Sequence, residues 1–196
     1  VVRGYEDLSG LARLKADEKL VHHYRAQLPD DGKLNVGLCW RSANKRYSRA
    51  RSYCPIEEFT PLLQRNDVRF VLLQYDGCSP QESAWLEKEF PGKTLSFEGL
   101  DMFRDLDGLA AAIASLDLVI SPAVNIRQFS GSIGIPTSLL VSGASQDWRK
   151  DEYGDRDLIH SGTVHRKIDA PDNLMASLQR DISEALERKS SGASGI

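Results

Sequence analysis

Leu116-Asp117-Leu118-Val119-Ile120-Ser121-Pro122, running on to Gly131-Ser132-Ile133-Gly134-Ile135-Pro136, is the stretch that decides the fold. It strings together an apolar run of strand length, a sharp turn, a helix-length segment, a glycine stop and a second apolar run. A short, nearly continuous apolar run suits a strand buried on both faces, as in parallel sheets. Ser before Pro is the order preferred at a helix start, so Ser121 reads as the cap and Pro122 as the first helical position. In open α/β sheets ligands sit outside the carboxyl ends of the strands, where helix N-termini present free N–H groups. The end of this strand is therefore the expected ligand crevice.

The same alternation extends in both directions. Apolar residues recur at helical spacing at Leu8, Leu11, Leu14, Leu20, Val21, Tyr24 and Leu28, and Pro29-Asp30-Asp31-Gly32 then turns the chain. Leu34 to Trp40 reads as a central strand, Arg41 to Tyr53 as a polar, basic loop, and Ile56 to Gln64 as a weak helix interrupted by Pro61. Val68 to Gln74 reads as a second strand and Pro80 to Phe90 as a helix. A short strand at Thr94 to Phe97, an alanine-rich helix at Leu106 to Leu116 and a strand at Leu118 to Ser121 follow. Thr137 to Val141 and Val164 to Ile168 complete the strands, and a helix from Pro171 to Glu187 puts Leu174, Leu178, Ile182, Ala185 and Leu186 on one face. The expected fold is a Rossmann-like, three-layer α/β domain with a mostly parallel sheet covered on both faces. The expected organisation is a connector helix and turn over 1–33, the domain over 34–188 and a flexible Ser/Gly-rich tail over 189–196.

At 196 residues the chain is long enough for one domain with a full core. Its composition is ordinary, 41% hydrophobic and 27% charged, and the net charge of -3 gives no basic excess to suggest nucleic acid. No run approaches the roughly 18 to 20 apolar residues of a membrane span. The chain begins at Val1 without a signal-like stretch, which reads as an upstream part removed or left out. Cys39, Cys54 and Cys78 are odd in number and widely spaced, so disulfides and zinc are not expected and a reducing cytoplasm is. His22 and His23 are adjacent on one helix and face different ways; His160 and His165 lack Cys or carboxylate at ligand spacing. Asp101, Asp105 and Asp107 read as helix-capping residues. No nucleophile motif such as GxSxG or SxxK is present.

Four segments together resemble the C-terminal half of two-domain glycosyltransferases of the GT-B architecture. The resemblance is to the heptosyltransferase-like enzymes and their relatives that follow tetratricopeptide repeats. Val36-Gly37-Leu38-Cys39-Trp40-Arg41-Ser42 is similar to the VGLxWRG/S strand and turn of that family. Arg51-Ser52 is similar to the RS that closes the same loop before a helix ending in PLL, here Pro61-Leu62-Leu63. Val71-Leu72-Leu73-Gln74 matches VxLQ. The fourth segment runs from Leu109-Ala110-Ala111-Ala112-Ile113 through the strand at Leu118 to Gly134-Ile135-Pro136, and Asp147-Trp148-Arg149 resembles a DWRW turn without its final Trp. Coverage runs from about residue 34 to 150.

The resemblance implies a nucleotide-diphosphate sugar donor (UDP-, GDP- or ADP-linked), no metal or other cofactor, and an inverting transfer whose base comes from an N-terminal half absent here. It implies phosphate contacts from Arg41, Ser42, Arg51 and Ser52, nucleoside contact from Gln74, and the sugar edge at Asn125 and Gln128. An upstream catalytic domain or tetratricopeptide repeats are the implied partners. The chain departs from the family at one place. Where members continue ISxDTxxAHLAGALG, this chain has Ala123 for the Asp, Val124 for the Thr and Gln128 for the His. Alanine and valine supply neither an acceptor nor a hydroxyl at the helix start, leaving backbone N–H groups and the helix dipole.

Alternatives therefore stay open. Arg41, Lys45, Arg46, Arg49 and Arg51 form either a cationic cradle for a diphosphate or a solvated basic loop. Asn125, Arg127 and Gln128 either replace the missing contacts or, for Arg127, face solvent. Gln74 either contacts the nucleoside or caps a loop. Three functions follow: the donor-binding half of a sugar-transferring protein, a non-catalytic module of the same fold, or a sugar-nucleotide epimerase of the same architecture, which no residue here favours. Arg41 and Arg51 aimed at the end of the fourth strand favour the first, and Val124, Ile126 or Phe129 filling that edge favours the second.

Overall fold

The computed structural model describes residues 14–42, 53–141, 163–167 and 171–192. Leu8 and Leu11 of the expected first helix, Lys45 through Ser52 of the basic loop, Asp147-Trp148-Arg149, His160 and residues 193–196 of the tail lie outside the described residues.

Strands β1 (Leu34–Leu38), β2 (Val68–Leu72), β3 (Thr94–Leu95), β4 (Leu118–Pro122), β5 (Thr137–Val141) and β6 (Thr163–Lys167) form one sheet in the order β3-β2-β1-β4-β5-β6. Every pairing is parallel. The chain moves outward from β1 to β3, then crosses back to place β4 on the other flank of β1, in the register Val36↔Leu118, Gly37↔Val119 and Leu38↔Ile120. The strand order reverses between β1 and β4, and in an open α/β sheet that switch point opens the crevice at the carboxyl edge. β1, β4 and β5 are buried at every position, as the apolar runs require of central parallel strands.

Helices cover both faces. On one face Leu34, Val36, Leu38, Phe70 and Ile120 pack with Phe59, Leu62 and Leu63 and with Leu174, Leu178 and Ile182. Phe59, Leu62 and Leu63 belong to a 3-10 turn (Ile56–Phe59) that runs into α2 (Thr60–Leu63), and Leu174, Leu178 and Ile182 to α6 (Pro171–Ser190). On the other face Val71, Leu73 and Val119 pack with Leu109, Ala112 and Ile113 of α4 (Leu106–Ala114) and with Tyr24 of α1 (Glu18–Arg25). The small residues of α4 are buried continuously from Gly108 to Ile113, which lets that helix lie close to the sheet. At the foot of the sheet Lys189 of α6 donates from Nζ to Asp117 Oδ2 at 2.8 Å and to the Lys33 carbonyl at 2.7 Å. Asp181 of α6 accepts from Ser138 Oγ of β5 and Arg166 Nε of β6, both at 2.8 Å.

Three sequence expectations are corrected. Among the described residues the first helix begins at Glu18, because Asp17 turns its carboxylate onto the Lys19 and Leu20 N–H groups and caps it there; Leu14 instead bonds its N–H to the Ser132 carbonyl. Ser121 and Pro122 do not start the next helix. They are the last residues of β4, held by pairing with Leu139 and Leu140 of β5, and Ser121 Oγ donates to the Pro122 carbonyl at 3.0 Å. Helix α5 (Asn125–Ile133) starts later, with Val124 at the N-cap and no side-chain cap, and Gly134 ends it at φ 94°. Pro61 sits in the first turn of α2 and starts that helix rather than interrupting the segment. Among the described residues no helix is long and apolar enough to cross a membrane.

Gly37 lies at the centre of the sheet, and a Cβ there would stand 2.6 Å from Leu73 Cδ1 and 2.8 Å from Leu116 Cδ1. Gly37→Val is expected to lower stability by about 1–3 kcal/mol through overpacking. An unchanged urea-unfolding midpoint would refute this packing argument.

Candidate functional site

The carboxyl edge of the sheet collects the ends of β1, β2 and β4, and with them most of the sequence-predicted site. Trp40 and Arg41 follow β1. Gln74, Tyr75 and Asp76 follow β2, and helix α3 (Pro80–Glu89) begins just beyond them. Asn125 and Gln128 lie on the first turn of α5 beyond β4, and both are exposed.

The Arg41 side chain turns toward the β2 flank, away from β4. Its Nε and Nη2 donate to the two Glu82 carboxylate oxygens at 2.9 and 2.7 Å, Nη1 pairs with Asp76, and Nη2 also reaches the Gly77 carbonyl at 3.1 Å. This fork-on-fork geometry is the strong form of a guanidinium–carboxylate pair. Glu82 accepts two further hydrogen bonds, from Trp40 Nε1 at 2.8 Å and from the Ser79 N–H at 2.6 Å. Burial pushes the Glu82 carboxyl up, but the bonds from Arg41, Ser79 and Trp40 outweigh it and hold the group at about 2. The same Glu82 bonds raise the guanidinium of Arg41 above its already high value against the opposing effect of burial.

Gln74 is buried, and its amide bridges the two strand ends. Oε1 accepts from the Trp40 and Arg41 N–H groups at 3.2 and 3.3 Å, while Nε2 donates to the Arg41 carbonyl at 3.0 Å and to Asp76 Oδ1 at 2.6 Å. The structure thus places Gln74 as a loop brace whose polar atoms all have partners. Ser42 is also buried, with its Oγ 2.8 Å from the Tyr75 hydroxyl. Arg51 and Ser52 lie outside the described residues, so the structure brings together Arg41, Ser42 and Gln74 and sets Asn125 and Gln128 beyond the neighbouring strand.

Arg127 is fully buried, which corrects the solvent-facing reading, and its Nη1 donates to Gln128 Oε1 at 3.2 Å. Ile126 is buried, with Val124 and Phe129 packed partly against the same apolar cluster as α4. Glu82 and Asp76 were missed from sequence because Glu82 lies 41 positions from its partner. The signal available was the Ser79-Pro80-Gln81-Glu82 pattern, a capping box that forms here and aims the Glu82 carboxylate back toward the loop. Burial pushes the Cys39 thiol up to about 12 and raises those of Cys54 and Cys78 as well, so none is poised as a thiolate nucleophile. Among the described residues no group of three or more His, Cys, Asp or Glu side chains converges as a metal site.

Glu82→Gln removes the charge that four donors share and is expected to cost about 2 kcal/mol. The native carboxyl titrates below its ordinary 4.5, so the stability it contributes is complete above that pH and is lost as pH falls toward about 2. Urea unfolding from pH 6 to pH 2.5 should show an acid slope in the wild type that is shallower in Glu82→Gln. Equal slopes would remove Glu82 as the group responsible.

No protein-family model matches the chain. Over 143 residues it is 35% identical to the protein FlbA of Caulobacter vibrioides, covering 72% of this chain and 24% of that protein. Among solved structures it resembles the glycosyl transferase family 9 protein of Veillonella parvula, with a TM-score of 0.54, 15% identity, and 85% of this chain on 45% of that one. The E. coli heptosyltransferase WaaC with ADP aligns with a TM-score of 0.51 and 15% identity, over 88% of this chain and 50% of that one. WaaC with ADP-2-deoxy-2-fluoro heptose gives 0.52 and 18%, over 87% and 49%. The chain spans about half the length of these structures and about a quarter of FlbA. Its six-stranded parallel sheet and their shared architecture place it as a half-domain of the GT-B glycosyltransferase fold.

Proposed function

We propose that this chain is the donor-side half of a sugar-transferring protein and binds a nucleotide-diphosphate sugar at the carboxyl edge of its sheet. The observation that carries this reading is the switch point between β1 and β4. It sets the carboxyl ends of β1 and β4 side by side, and β4 is followed by α5, a helix without a side-chain cap. N–H groups at a helix start that no side chain caps are an ordinary means of holding phosphate oxygens, and the sequence after β1 is rich in Arg and Lys. The likeness to WaaC, described with ADP and with an ADP-heptose analogue, supports a nucleotide of this class. In this reading Ser42, Arg51 and Ser52 meet the phosphates, Asn125 and Gln128 the sugar edge, and Arg41 with Gln74 fixes the loop that presents them. The acceptor and the base come from elsewhere in a longer protein, so this chain alone does not turn over.

A second reading is favoured by a specific observation. Ala123 and Val124 stand where an acceptor and a hydroxyl are needed, and the side chains of Arg41 and Gln74 are engaged within the protein. A non-catalytic module that keeps the fold accounts for both facts.

Thermal-shift titration with UDP, GDP, ADP and CMP separates the two. A ligand at 100 times its dissociation constant adds about 2.7 kcal/mol to the native state. The donor-half reading expects one nucleotide to stabilise the chain selectively, and Arg51→Ala and Ser42→Ala to abolish that increment. Arg41→Ala should lower the baseline melting temperature whether or not nucleotide is present. No shift with any nucleotide at millimolar concentration would favour the module.

A further inference from the structure

We propose that a groove on the opposite edge of the sheet is a binding site for a neutral oligosaccharide. The groove has a volume of about 500 Å³ and lies between the end of α2, the C-terminal half of α3 and the loops that enter β2 and β3. Its walls include Gln64, Asn66, Trp85, Glu89, Phe90 and Lys93. Asn66 and Lys93 precede their strands, so the groove opens at the amino edge of the sheet, away from the carboxyl edge where the proposed donor binds.

The lining chemistry selects the ligand. Trp85 is half-buried, and buried Phe90 braces it edge-on with ring centroids 5.2 Å apart and planes at 60°. A braced, part-exposed indole is a rigid apolar surface with little conformational entropy to lose, suited to the C–H face of a pyranose ring. Around it stand groups that match hydroxyls as both donors and acceptors. The exposed Gln64 amide makes no side-chain hydrogen bond among the described residues. Lys93 Nζ donates to Asn66 Oδ1, which leaves the N–H groups of the exposed Asn66 amide as donors for a ligand. Glu89 accepts from Lys88 through one carboxylate oxygen and keeps the other.

Charge excludes the main competitors. One carboxylate and one ammonium line the groove, and the ammonium is turned onto Asn66 and the Arg65 carbonyl at 3.3 Å. Neither a polyanion nor a cation finds a complementary field there. An aromatic wall flanked by a few polar groups, in an open groove of this volume, fits an uncharged polyol lying along the surface. The distance from the switch point makes this a holding site for a glycan chain rather than part of a transfer site, and it stands independently of the donor reading.

The test is a glycan array of neutral and acidic oligosaccharides probed with the whole chain, followed by calorimetric titration of the best ligand. The expected result is binding to neutral oligosaccharides, weakened at least tenfold by Trp85→Ala and several-fold by Gln64→Ala, with no competition from UDP or ADP. Circular dichroism checks the fold of Trp85→Ala, and if that variant unfolds, Gln64→Ala and Glu89→Gln decide the matter. An empty array, binding confined to acidic glycans, competition by nucleotide, or affinity unchanged in the folded variants would each overturn the proposal.

Discussion

The Glu82 carboxylate ties together three parts of the chain that would otherwise end independently: the end of β1, the loop after β2 and the first turn of α3. It accepts hydrogen bonds from two nitrogens of Arg41, from the Trp40 indole and from the Ser79 backbone. A carboxylate this sheltered is tolerable only because all of these donors converge on it, and removing one partner would leave the other charge stranded. Trp40 is thereby fixed in its fully buried position, and with it the direction in which the chain leaves the sheet. Gln74 completes the brace by bonding the backbone of residues 40 and 41 from the neighbouring strand. The carboxyl edge between β1 and β2 is thus set by one charge and one amide, and everything beyond residue 42 departs from a fixed point.

The sequence carries the architecture in its periodicities, because each element is marked by where its apolar residues fall. β5 was legible to the residue, since Gly134-Ile135-Pro136 ends the preceding helix and the run from Thr137 to Val141 is unbroken. The errors arose where a local rule met a stronger distant one. Ser121-Pro122 satisfies the rule for a helix start, yet pairing with Leu139 and Leu140 draws both residues into β4. The apolar recurrence from Leu8 onward passes through Asp17 without a break, while the Asp17 carboxylate starts the helix at that point. Burial of Arg127 was illegible, because a charged residue one turn into a helix looks the same on paper whether it faces water or the core.

For the candidate site, the sequence named residues that the fold puts at the strand ends, but not how their side chains are used. Arg41 was legible as a cation at the edge. That it would be neutralised by Asp76 and Glu82 depends on folding two distant segments together, which spacing does not encode. The Ala123-Val124 departure lies on the other side of this divide, because it was visible in the residues alone. The structure explains why the fold survives it. The placement of α5 rests on Ile126 in the apolar cluster, on the Thr137 Oγ1 to Ser130 Oγ bond at 2.8 Å and on the Gly134 stop. None of these uses an acceptor or hydroxyl at positions 123 and 124, so the fold does not depend on the residue types there.

At the amino edge the strands of the middle are closed by a polar lattice: Asp117 joins the Asn35 N–H to Lys189, and Arg69 joins Asn35 Oδ1 to Asp31. At the carboxyl edge the β1–β2 gap is closed by Arg41, Gln74, Asp76 and Glu82, where two carboxylates engage one guanidinium. Ser42, the next residue after Arg41, is drawn to the same flank, its hydroxyl 2.8 Å from that of Tyr75. The guanidinium nearest the strand ends thus fixes how the chain leaves β1, as Asp117 and Arg69 fix the opposite edge.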